Sequence, residues 1–169
     1  MTHGAFEPLV GVDQYTEAGR LRADDLAVRS RAAELLSRAA QTLSAAAAEY
    51  RRTQVPAPTR EQPFPPPELL EPAAAARRCA DRYTAAADRV RNAPFPPDPK
   101  KTWKKLRTVG AARLLELDRS LVSHAQYAAA VVGDVSPEQL SELPARDALD
   151  ALSAVAATLD ERTGYLSAL

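Results

Sequence analysis

Ten of the fourteen prolines fall into two short stretches, and these stretches decide what the rest of the chain can become. Pro56, Pro58, Pro63, Pro65, Pro66 and Pro67 crowd residues 54–67, and Pro94, Pro96, Pro97 and Pro99 follow after a gap. Proline lacks an amide hydrogen and fixes φ, so neither stretch can be helix interior or central strand. Residues 54–67 and 93–98 therefore read as extended, polyproline-like connectors. Whatever is regular must lie between and around them.

The segments so divided carry helical periodicity. Leu21, Asp25, Val28, Ala32, Leu35, Ala39, Leu43, Ala46 and Tyr50 advance in steps of three and four, covering 29 positions in eight steps. That spacing predicts a helix over 13–53, with Asp13 as a cap and a break at Gly19 as an alternative. Asp25 is the one polar member of the stripe, and Leu26 is expected to fill in for it. A second helix is predicted over 68–92 on the stripe Leu69, Ala73, Ala76, Ala80, Tyr83, Ala87 and Val90, with Pro72 placed in its first turn. Tyr50 and Tyr83 are expected half-buried, their hydroxyls reaching solvent.

The third helix is predicted to open with Asp98 at N-cap and Pro99 at N1 and to run to Val132, with Gly133 as terminator. Its stripe passes through Trp103, Leu106, Gly110, Leu114, Leu117, Leu121, His124, Ala128 and Val131. Ser136-Pro137-Glu138-Gln139 has the form of a capping box opening a short helix. A final helix from about Ala145 to Arg162 carries Leu149, Leu152, Val155, Ala156 and Leu159, and Gly164 is expected to end it. Strand alternation is not found. With 35 alanines and few aromatics, the expected fold is all-α. It is a single helical domain over 1–169, a bundle of three long helices plus a shorter C-terminal pair, with residues 1–12 irregular.

Charge and motif content exclude more than they include. The chain carries 22 basic and 22 acidic residues, so no whole-molecule field draws in nucleic acid. No signal-peptide pattern opens the chain, and no window approaches the roughly 20 apolar residues of a membrane span. One cysteine, Cys79, allows no internal disulfide and suits a reducing cytoplasm, the expected location. Phosphate-loop, nucleophile-elbow and zinc-protease motifs are missing, and no cofactor or metal is expected. His3 and His124 lack the spacing of a di-iron or zinc site. His124 reads as a core histidine, and Cys79 as a buried thiol despite Arg77, Arg78 and Arg82 beside it.

One local feature stands out. All four lysines lie in Lys100-Lys101-Thr102-Trp103-Lys104-Lys105-Leu106-Arg107. Cations in the first turns of a helix oppose its dipole, so something is needed to offset them. Three readings compete for Lys100, Lys101, Trp103, Lys104, Lys105 and Arg107. The cluster is a solvated face; or it meets acidic residues, within the chain (residues 134–169 hold seven acids and two bases) or on a partner; or it binds anionic lipid or nucleic acid with Trp103 at the interface. The leading expectation is a non-catalytic protein–protein interaction module: an adaptor, an accessory subunit or a self-assembling bundle. A peripheral anion-binding protein is the alternative. An enzyme with a small-molecule pocket near His124 is the third.

Overall fold

The computed structural model describes residues 18–133 and 135–169, with side chains from Leu21 onward. Among them every regular element is helical: α1 (Ala18–Thr53), α2 (Pro67–Arg91), α3 (Pro99–Val109), α4 (Ala112–Val132), a 3-10 turn (Pro137–Glu142) and α5 (Ala145–Ala168). The expected cap at Asp13 and the irregular segment 1–12 lie outside the described residues. The all-α expectation holds, and both proline stretches are connectors.

The elements differ from expectation in four places. The third helix is two helices, because Gly110 takes φ +86° and ends α3, its amide donating to the Leu106 carbonyl at 2.7 Å. The hydrophobic register survives the break: Leu106 before it and Leu114 after it bury in one cluster. The Ser136 segment forms six residues of 3-10 helix only, with the Gln139 side chain accepting from the Ser136 amide at 3.4 Å. The last helix continues through Gly164 to Ala168, since Leu166, beyond the expected end at Arg162, is buried. Likewise α2 begins at Pro67, leaving Pro72 inside its second turn.

Four long helices therefore make the body. α1 packs most extensively on α2 and α4 on α5, giving two antiparallel hairpins side by side. Leu21 of α1, Leu114 of α4 and Leu166 of α5 share one end of the bundle. Ala46 and Ala47 of α1 meet Ala73 and Ala76 of α2, with Leu140, at the other. It follows that α1 runs parallel to α4, and α2 parallel to α5. Alanine faces let α1 and α2 approach closely, while leucines fill the space between hairpins. Fully buried leucines such as Leu36, Leu43 and Leu121 each contribute about 2 kcal/mol.

Two polar contacts cross this body diagonally. Tyr83 of α2 is 0% exposed, and its hydroxyl donates to the Ala128 carbonyl of α4 at 2.6 Å. It does not reach solvent as its sequence position suggested, because α2 turns that stripe to the bundle centre. Asp25 is also buried, and it is Leu26 that is exposed, at 53%. Periodicity placed the carboxylate correctly, and the expected replacement by Leu26 does not occur.

Candidate functional site

Asp98 caps α3, accepting from the Lys101 amide at 3.0 Å. The turn it fixes sends Lys100, Lys101, Lys104, Lys105 and Arg107 outward, all five exposed. Trp103 lies at the edge of this face and packs, half-buried, against the cluster of Leu21, Leu106, Leu114 and Leu166. The structure therefore gathers the five cations on one surface with the indole at its edge. Lys105 donates to the Ala168 carbonyl at 3.3 Å. Among the described residues no lysine forms an ion pair. Of the acids in residues 134–169, Asp160 pairs with Arg89 at 2.7 Å and Glu161 with Arg113. An intramolecular acidic partner for the lysines is thus not found.

Besides the exposed arginine pairs, two buried arginines that no sequence motif announced also meet acids. Arg162 of α5 is 2% exposed. Its Nε donates to Asp118 Oδ1 of α4 and its Nη1 to Asp25 Oδ1 of α1, each at 2.6 Å. The other oxygen of Asp25 accepts from Arg29 Nε and Nη2 at 2.9 and 2.6 Å. Arg29 Nη1 then donates to the carbonyls of Arg91 and Ala93, at 2.6 and 3.1 Å, where α2 ends. A cation at that position complements the helix dipole. The chain Arg29–Asp25–Arg162–Asp118 balances two charges of each sign and ties all four long helices. It lies between two apolar clusters, one turn from Leu21, Leu114 and Leu166 on one side and from Val28, Leu121 and Leu159 on the other. Its role is architectural.

The remaining chemistry-bearing groups are similarly occupied. His124 Nδ1 lies 2.9 Å from Thr158 Oγ1, and that hydroxyl donates to the Ala154 carbonyl at 3.0 Å. The ring nitrogen is therefore the donor to Thr158, which fixes the tautomer. Cys79 is buried, and burial pushes its thiol above the usual range, against the thiolate a nucleophile needs. No group of three or more His, Cys, Asp or Glu able to hold a metal occurs among the described residues. No helix among them is long and apolar enough to cross a membrane.

A second outward surface was not foreseen. The seam between α2 and α5 is the thinnest of the four between neighbouring helices. A groove follows it. The first section lies between Pro67–Ala75 of α2 and Leu140, Leu143 and Ala145. A middle section adds Arg78, Cys79, Arg82 and Leu149. The last continues past Ala86 and Arg89, opposite Leu152, Val155 and Leu159. Adjoining sections share Ala75 and Ala145, then Arg82 and Leu149. Leu149, expected in the core, is 43% exposed at the junction. The cause lies across the seam, where α2 presents Ala75, Cys79 and Ala86, too short to cover it. His124 lines none of these sections. The signal missed in the sequence was this mismatch, a leucine-bearing face on α5 against small residues and arginines on α2.

Comparison of the chain with known protein families, with curated proteins and with solved structures gives no match in any of the three.

Proposed function

We propose that this protein is a non-catalytic helical module that acts by binding another protein, as an adaptor, an accessory subunit or a self-assembling bundle. One observation carries the reading: the α2–α5 groove leaves an apolar floor, Leu149 at its centre, open on the surface of the bundle. Apolar grooves between helices are common docking sites for partner segments. The test is affinity capture from cell extract with the wild-type chain and with Leu149→Glu. Leu149 is 43% exposed and outside the buried core, so the substitution costs about 1 kcal/mol. A protein retained by the wild type and lost by the variant is the expected result. Identical capture by both, or capture of nothing by either with a monomeric chain in light scattering, contradicts the reading.

A second reading has its own observation. Lys100, Lys101, Lys104, Lys105 and Arg107 are all exposed and none is in an ion pair among the described residues. Such a patch suits a peripheral anion-binding protein, on an anionic membrane surface or a nucleic acid. Binding to phosphatidylserine vesicles or to duplex DNA would then fall steeply with salt and vanish when the four lysines become Gln. Retained binding in that variant contradicts it. The enzyme reading at His124 has no specific observation in its favour.

A further inference from the structure

The α2–α5 groove carries a charge pattern as well as an apolar floor. From Ala75 to Val90 it follows about 22 Å of α2, the length of a four-turn helix. Arg78, Arg82 and Arg89 stand along the α2 lip, and the lining of these two sections contains no carboxylate. Arg78 and Arg89 are held only by solvent-exposed pairs, with Glu71 at 2.5 Å and Asp160 at 2.7 Å. Pairs of that kind contribute little and exchange partners readily. Arg82 is exposed and in no ion pair among the described residues. On the opposite lip the α5 lining, Leu149, Leu152, Ser153 and Ala156, is uncharged, and the carboxylate of Asp160 comes only at the far end, where it meets Arg89.

We propose that this groove takes an amphipathic α-helix from a partner protein, with an acidic flank lying toward α2. This rests on the interaction-module reading and names the partner's chemistry. The floor asks for apolar side chains at i, i+3, i+4 and i+7, the pattern one helix lays into the trough between two others. The three arginines are spaced four and seven residues apart, one and two helical turns. Glutamates or aspartates at matching spacing on a partner helix meet all three. A polyanion such as nucleic acid is a poorer occupant, because only one lip is cationic and the floor is apolar. A second copy docking through these two sections sets arginines against arginines, because the lining carboxylates of the groove, Glu68 and Glu71, lie only in its first section.

Two synthetic helical peptides of about 18 residues serve as probes, with the same leucine face and either glutamate or lysine flanks. Fluorescence anisotropy with the full chain is expected to show the glutamate peptide binding at least about tenfold more tightly, with the advantage shrinking as salt is raised. Leu149→Glu abolishes binding of both peptides, and Arg82→Glu with Arg89→Glu reverses the preference. Should Leu149→Glu fail to fold, Ser153→Tyr fills the same trough from an exposed position. Equal affinities, a preference for the lysine peptide, or binding of neither overturns the acidic helix. The module reading is judged separately: if Leu149→Glu still loses a captured protein, docking at the groove stands and only the partner's charge is wrong. A dimer in sedimentation that Leu149→Glu dissociates assigns the groove to a second copy instead.

Discussion

Two sets of cations sit within this chain under opposite rules. The lysines of α3 are outside, clustered and without carboxylate partners, while Arg29 and Arg162 are inside and engaged by carboxylates and carbonyls. Side-chain chemistry explains the division. An ammonium is strongly hydrated and is costly to bring indoors, whereas a planar guanidinium offers a fixed fork of donors that can bridge groups on different helices. Arg162 uses that fork to hold α1 and α4 at once, at a depth where each ion alone would be too costly to desolvate. The lysines spend nothing on desolvation and contribute little to stability, which leaves them available for an outside ligand.

The contrast can be broken most forcefully at Arg162. Arg162→Met removes the buried cation that Asp25 and Asp118 share, leaving two buried carboxylates against the single buried guanidinium of Arg29, and urea denaturation should show a loss of about 3–5 kcal/mol. A loss below about 1 kcal/mol would place the arginine with the surface cations. Tyr83→Phe removes the other diagonal contact and should cost about 1 kcal/mol.

The same tyrosine sharpens the contrast through pH. Burial, and secondarily the neighbouring Cys79, raises the Tyr83 hydroxyl above its ordinary value. The folded state thus holds that proton when the unfolded chain has begun to release it. Its contribution is complete below about pH 10 and is lost as pH rises further. Denaturation midpoints of wild type and Tyr83→Phe should therefore converge above about pH 10, and parallel curves would show that the hydroxyl is not sequestered. At the small end, changing Lys100, Lys101, Lys104 and Lys105 to Gln relieves repulsion at the start of α3. Stability should rise by a few tenths of a kcal/mol at low salt, the change fading as salt is added. A clear loss of stability would mean the lysines are structural after all.

How far the sequence foretold this follows from where its signals are local. The stripes on α1 and α2 appear in the structure nearly position for position, because helical burial depends on spacing that one segment carries by itself. Asp98 and Gly133 were legible for the same reason. Gly110 was not, since a glycine on an apolar stripe looks like a close-packing site until the backbone turns there. Asp118 and Arg162 were invisible because the partners of Arg162 are 44 and 137 residues away, and no spacing rule links residues on separate helices; the Arg29–Asp25 pair is local, but its spacing is that of any surface pair and does not announce burial. The lysine cluster was read easily, being contiguous. The groove was missed although Leu149 and the α2 arginines were all in view, because an open seam depends on two faces failing to match.

The central claim is that partners are met on the α2–α5 seam. Hydrogen exchange of the chain alone and with its captured protein tests this most directly. Slowed exchange confined to residues 75–90 and 145–159 is the predicted outcome. Protection centred on residues 99–109, with the seam unchanged, would contradict it and hand the function to the lysines of α3.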